Sequence, residues 1–182
     1  MSFLLNPFVF AAAGDFESIA TVTVGSGGAA SIQFSNIPQT YTHLQIRTAA
    51  RSTKSNVNFG YRWGFNGNTA SDKKGHYLYG DGGSAVSGAQ VTTSVVFAGV
   101  GSAATSLANN YGAGIFDFLD YADSSKNTVM RCISGYDNNG SGFISVDSGA
   151  WFNTAAVTSI SVVCDTGNWA QYTTAALYGI KA

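Results

Sequence analysis

Residues 57–66 read V-N-F-G-Y-R-W-G-F-N and give the clearest secondary-structure signal in the 182-residue chain. Large apolar side chains occupy every second position, and Asn, Gly and Arg occupy the positions between them. An alternation of period two predicts a β-strand with one buried face and one polar face. The predicted buried face is aromatic for most of its length, and it consists of Val57, Phe59, Tyr61, Trp63 and Phe65.

The same alternation continues on both sides of this strand. Residues 42–51 are predicted to form a strand with Leu44, Ile46, Thr48 and Ala50 on its inner side. A strand at residues 91–97 would turn Val91, Thr93, Val95 and Phe97 inward, and a later one Ile160, Val162 and Cys164. Further strands, to a total of about eleven, are predicted at Ser18–Val24, Ala30–Phe34, His76–Tyr79, Ile115–Leu119, Thr128–Ile133, Gly142–Val146 and Ala176–Lys181.

Glycine-containing polar turns separate these strands. Asn-Gly and Asp-Gly pairs at residues 66–67, 81–82 and 139–140 supply the positive φ angles that tight hairpins need. The chain has 22 Gly, 2 Pro, 10% charged residues and a single glutamate, a composition that disfavours helices. We therefore predict an all-β fold, a two-sheet antiparallel sandwich of jelly-roll type. The sandwich domain would comprise residues 17–182 and would follow an extended apolar arm, residues 1–16.

The first sixteen residues differ from the rest because they are mostly apolar and contain no Lys or Arg. About ten apolar residues are too few to cross a bilayer, which takes roughly 20, and a signal peptide would need a positively charged start. We interpret the segment as a docking arm that buries its side chains in a partner or a neighbouring copy. The alternative is that it folds back onto its own domain. The docking residues are Phe3, Leu4, Leu5, Pro7, Phe8, Val9 and Phe10.

Charge and motif patterns argue against several classes of function. A net charge of −1 and a pI near 6.0 disfavour binding of nucleic acid through a basic patch. The sequence has no Walker loop, dinucleotide fingerprint, H-E-x-x-H or G-x-S-x-G motif, so we predict no catalytic residues and no cofactor. The turns at Asp137 and Asp165 lack the spacing of a calcium loop, and no metal site is predicted. Cys132 and Cys164 are interpreted as small buried side chains, and a disulfide between them is left open.

One predicted strand breaks the simple inward-apolar pattern. In A-G-I-F-D-F-L-D, residues 113–120, Phe116 and Phe118 would point inward. Ile115, Asp117 and Leu119 would then lie on the outer face. Exposed aliphatic side chains on a sheet face suggest a protein interface, so these three residues are a candidate subunit contact.

A second candidate contact consists of aromatic residues near strand ends or loops. Trp151, Trp169 and Tyr172 have Asn and Gln residues close by in the sequence. Aromatic faces flanked by amides can stack on sugar rings, so we expect these residues to be candidate glycan contacts, although buried tryptophan is the commoner case.

Five segments of the chain resemble a group of small Gly/Ser/Thr-rich virion proteins of tailed phages, many of them aquatic, that are labelled structural, tail-fibre or decoration proteins. The resemblance covers most of residues 17–181 and consists of strand-and-turn patterns without catalytic chemistry. It implies a β-sandwich displayed on a virus particle in several copies. The segments that carry it are Glu17–Gly28, Phe34–Ile46, Gly75–Gly82, Trp151–Ile160 and Gln171–Lys181.

The expected function is therefore that of a non-enzymatic virion structural protein, a fibre or baseplate appendage module anchored through its N-terminal arm. A capsid cement or decoration protein is the first alternative, and a lectin-like carbohydrate-binding domain is the second. The expected partners are other virion proteins, further copies of the chain (a trimer, by analogy with viral β-appendages) and host surface polysaccharide. Neither nucleic acid nor membrane insertion is expected, and the expected location is the surface of the virion.

Overall fold

The computed structural model describes residues 15–181, apart from the side chains of residues 91 and 92. This part of the chain forms twelve β-strands and no helix. The strands are β1 (Phe16–Thr23), β2 (Ile32–Phe34), β3 (His43–Ala50), β4 (Asn58–Phe65), β5 (Lys73–Gly80), β6 (Ala85–Thr93), β7 (Val96–Ser102), β8 (Gly112–Leu119), β9 (Thr128–Asp137), β10 (Gly142–Trp151), β11 (Ile160–Cys164) and β12 (Thr174–Ile180).

The strands form two antiparallel sheets that pack face to face. The large sheet has the order β1-β12-β3-β8-β9-β10-β5-β6, and the small sheet has the order β2-β11-β4-β7. The predicted all-β, two-sheet antiparallel sandwich is confirmed.

Eight of these strands have the pairing of a jelly roll. Successive strands β1, β2, β3 and β4 alternate between the two sheets, and each pairs with a later strand: β1 with β12, β2 with β11, β3 with β8 and β4 with β7. The remaining strands form two hairpins, β5–β6 and β9–β10, which are inserted between β4 and β7 and between β8 and β11. Both hairpins extend the large sheet beyond β8, so the large sheet is twice as wide as the small one.

The aromatic face of β4 forms the centre of the core, as its alternation predicts. Phe59, Tyr61, Trp63 and Phe65 are fully buried against the large sheet. The ring centroid of Trp63 lies 4.5 Å from that of Phe116 on β8. The inner positions predicted on β3 and β11 are also buried. Val57 is an exception, because β4 begins at Asn58 and leaves Val57 exposed just outside the strand.

The predicted strand at residues 91–97 is wrong. The chain turns at Ser94 and Val95, and β6 and β7 lie in different sheets. The Gln90 side chain bonds both the N–H and the C=O of Phe97, so a side chain rather than a strand ladder joins the two sheets here. Val96 is consequently the buried residue at the start of β7, where the sequence pattern placed Val95 and Phe97.

Candidate interaction surface

A row of exposed aliphatic side chains crosses four strands on the outer face of the large sheet. Ile115 on β8 pairs with Ile133 on β9, Ile133 pairs with Val146 on β10, and Val146 pairs with Leu78 on β5. Directly paired side chains on one face lie about 5 Å apart, so the four form a continuous strip. We call this strip the apolar row.

The apolar row is open to solvent along its whole length. Its four members, together with Ile144 in the next row, are 40–56% exposed. Single exposed aliphatic residues are ordinary on protein surfaces, whereas a contiguous strip of them is a candidate interaction site.

Behind the apolar row, the inner side of β9 and β10 carries buried polar side chains. Ser134 on β9 and Ser145 and Asp147 on β10 are all buried. They face β7, the edge strand of the small sheet, and Asp147 Oδ2 accepts hydrogen bonds from Gly99 N (3.2 Å) and Ser145 Oγ (2.5 Å). Ser134 Oγ accepts the N–H of Val100 at 2.8 Å. Their side-chain oxygens accept backbone N–H groups on the free edge of β7, where no further strand pairs with it. This explains why β9 and β10 turn polar residues inward.

Burial raises the pKa values of two groups in this inner cluster, Asp147 and Cys132. Removal from water raises the pKa of Asp147 above the usual range of an aspartic acid, although the bonds from Ser145, Cys132 and Gly99 oppose the shift. Cys132, whose Sγ lies 3.4 Å from Asp147 Oδ2, also has a pKa raised by burial. Cys132 and Cys164 are both buried and free, so they form no disulfide with each other.

Two open grooves flank the Ile115–Ile133 pair. The larger has a volume of about 500 Å³ and is bounded by Tyr111, Ile133 and Ile144. Gly135, which pairs with Ala113 and Ile144, also lines this groove. The smaller, about 250 Å³, lies between the apolar row and the Asp117–Arg131 pair.

The three residues predicted as a subunit contact occupy different environments. Ile115 belongs to the apolar row. Asp117 is hydrogen-bonded within its own sheet, because its carboxylate accepts hydrogen bonds from Gln45 Nε2 (2.8 Å) and Arg131 Nε (3.1 Å). Leu119 is half-buried at the end of β8, paired with the exposed Val129. Sequence reasoning identified Ile115 but missed its partners Ile133, Val146 and Leu78, since only the strand order shows that they are neighbours.

The two tryptophans predicted as glycan contacts are buried, and that prediction is wrong for them. Trp151 Nε1 donates to Asp72 Oδ2 at 3.0 Å, and Trp169 Nε1 donates to the carbonyl of Val162 at 3.2 Å. Their rings pack in the core and present no face to a sugar. Tyr172 is 66% exposed and remains a predicted contact without the two stacking partners.

The docking arm residues Phe3–Phe10 lie outside the described residues. The structure describes the chain from Asp15, and β1 begins at Phe16, one residue before the predicted domain boundary. Phe16 pairs with Ile180, and its ring stacks on Tyr178 with centroids 4.7 Å apart. The guanidinium of Arg47 lies 4.9 Å from the centre of the Phe16 ring. The chain that precedes β1 therefore emerges from a well-anchored strand end.

In the two turns considered as calcium sites, each carboxylate has a partner within the protein. Asp137 Oδ1 accepts the N–H of Asn139 at 2.7 Å, and Asp165 Oδ2 pairs with Lys54 Nζ at 2.6 Å. Among residues 15–181, His, Cys, Asp and Glu side chains form no group of three that could hold a metal ion. The same residues include no helix with the length and apolarity needed to cross a membrane.

Comparison with known proteins identifies no relative. The chain matches no protein-family model, no curated protein and no solved structure. The resemblance to phage virion proteins therefore stays a prediction, and the geometry of the surface is the main guide to function.

Proposed function

We propose that this chain is a structural protein of a tailed-phage particle, a fibre or baseplate module that assembles with further copies of itself. The observation that carries the proposal is the exposed apolar row on the outer face of the large sheet. On β9 and β10 the outer residues Ile133, Ile144 and Val146 are aliphatic and exposed, whereas the inner residues Ser145 and Asp147 of β10 are polar and buried.

An assembled particle accounts for the exposed apolar row better than a free monomer does. Monomeric proteins rarely expose a contiguous apolar strip, because water contact with it is unfavourable and promotes association. The low fraction of charged residues, 10%, leaves little electrostatic repulsion to keep separate copies apart. Burial of the apolar row between copies would remove it from water.

The fold and the sequence resemblance support a virion role without establishing it. Jelly rolls occur in viral capsid proteins, in lectins and in cupins, so the fold alone does not choose among functions. The resemblance to tailed-phage structural proteins favours the viral role, and the burial of Trp151 and Trp169 weakens the lectin alternative.

The particle itself provides the direct test of this function. We expect the chain in stoichiometric amounts in purified particles of the phage that encodes it, and a cryo-electron microscopy map should place it on the tail. Density for it on the capsid instead would support the decoration alternative. Absence of the chain from purified particles would contradict the proposal.

Self-assembly can be tested on the purified protein by sedimentation at micromolar concentration. We expect a trimer for the full chain and dissociation for the double variant Ile133→Ser/Val146→Ser, because the variant removes the middle of the apolar row. Leu107→Ser is the matched control, since Leu107 is a loop residue of similar exposure (49%) outside the row. A full chain that is monomeric both in solution and in the particle would contradict self-assembly.

A further inference from the structure

We infer that the apolar row is covered by the N-terminal segment Phe3–Phe10 of a neighbouring copy. The inference rests on the proposed self-assembly and names the part of the partner that makes the contact. It places the docking arm of one copy on the Ile115 face of another.

The chemistry of the segment matches the surface. Residues 1–14 contain no charged residue, and Phe3, Phe8 and Phe10 provide three large aromatic side chains. The two grooves beside the Ile115–Ile133 pair offer about 500 Å³ and about 250 Å³, which is room for aromatic rings. Pro7 fixes one φ angle in advance, so an extended conformation of the segment loses less entropy on binding.

The segment is also long enough. The apolar row crosses four adjacent strands, β8, β9, β10 and β5, so it is roughly 14 Å wide at about 4.8 Å between strands. Fourteen extended residues span up to about 46 Å, so the segment can cross the row of a neighbouring copy after a connection of several residues.

The direction of the chain at Asp15 favours a neighbouring copy over the segment's own domain. Lys181 N donates to the carbonyl of Asp15 at 2.9 Å, so pairing with the C-terminal strand continues past Phe16 to Asp15. At Asp15 the chain therefore still points along β1 toward the end of the sheet. Its own apolar row lies in the opposite direction, in register with Thr21 of β1, whereas a copy beyond the sheet end is reached without a reversal of direction.

Disulfide trapping between two separately labelled chains tests the contact. Full-length Phe8→Cys and full-length Val146→Cys are mixed, exchanged and oxidised, and the products are separated without reductant. We expect a cross-linked dimer in the mixture and none in either variant alone. The native Cys132 and Cys164 are buried, so they should remain unreactive. The matched control replaces Val146→Cys with Gln33→Cys, an exposed position on the small sheet, and should yield no dimer.

A second measurement does not depend on the choice of cysteine positions. The double variant Phe8→Asp/Phe10→Asp should raise the dissociation constant of the oligomer at least tenfold, because it places charges in apolar grooves. Ala12→Asp adds a charge to the same segment outside Phe3–Phe10 and should change the dissociation constant little.

The outcomes separate this inference from the proposed function. A disulfide within one chain carrying both Phe8→Cys and Val146→Cys, without any dimer, would show that the segment covers its own domain and would overturn the inference. An oligomer that survives deletion of residues 1–14, with no cross-link, would also overturn it while leaving self-assembly intact. A full chain that never associates would overturn both.

Discussion

Asp147 illustrates how a single residue departs from the alternating pattern for a structural reason. A carboxylate on the inner side of a sandwich strand is costly unless it is hydrogen-bonded. Here it accepts the N–H of Gly99 on the unpaired edge of β7, together with the hydroxyl of Ser145. Removal from water nevertheless raises its pKa.

Asp147→Asn should make the free energy of unfolding less dependent on pH. Because the folded-state pKa is raised, the stabilisation from the protonated acid is fully present below the unfolded pKa, near 4, and is lost as pH rises through the folded pKa. The amide does not titrate. The stability of the variant relative to the original chain should therefore increase from pH 4 to pH 7, as measured by urea unfolding.

Asp81→Asn provides a control that should not respond over this pH range. The N–H groups of Ser84 and Gly83 lower the pKa of Asp81. Its contribution is present above the unfolded pKa, near 4, and is lost as pH falls through the folded pKa, so the stability of this variant relative to the original chain should stay nearly constant from pH 4 to pH 7. A relative stability of Asp147→Asn that stays constant or decreases over this range would contradict the assignment.

At the scale of elements, the periodicity of the sequence predicts the strands well. It does not predict the hydrogen bonds that side chains form at the ends of strands. The inner faces of β3, β4 and β11 follow from the sequence because each alternates without interruption. The corner between β6 and β7 does not, since Gln90 there replaces a backbone ladder with its own amide. The apolar row could not be predicted from the sequence either, because its strands become neighbours only through the insertion of two hairpins.

A buried lysine, Lys73, stabilises the connection between β4 and β5. Lys73 Nζ is fully buried and donates to Asp72 Oδ1 at 2.7 Å and to the carbonyl of Ala70 at 3.3 Å. Asp72 in turn accepts the indole N–H of Trp151. Although burial alone would raise the pKa of Asp72, the bonds from Lys73 and Trp151 hold it below its ordinary value.

Lys73→Met should destabilise the protein by about 3 kcal/mol, the lower end of the range for breaking a buried ion pair, because Asp72 keeps 21% side-chain exposure. Urea unfolding measures the loss. Lys126→Met is the matched control, since its ion pairs with Asp120 and Asp123 lie on the surface, where such pairs contribute little. Equal effects of the two variants would contradict this account of the connection.

At the scale of the whole molecule, we expect the described core to fold without the first fourteen residues. Deletion of residues 1–14 should leave the free energy of unfolding unchanged within error, because β1 begins at Phe16 and pairs with β12 from Phe16 to Thr23, with one register shift between Ser18 and Ala20. The measurement should be made at a dilution where the full chain is monomeric, since association adds apparent stability. Deletion of residues 1–23 removes β1 as well and should destabilise the domain. A large loss from the shorter deletion would place the arm in the core.

The nested strand pairing also has a kinetic consequence. Glu17 on β1 forms an ion pair with Lys181, which follows β12. The two residues are 164 positions apart in the chain. Contacts between such distant residues make folding slow, because a long loop must close before they form. A ribosome adds roughly 5–20 residues per second, so β1 is synthesised on the order of 10–30 seconds before its partner strand β12. Throughout that interval the N-terminal strand has an unpaired edge, and chaperones that shield such edges should raise the yield of folded protein.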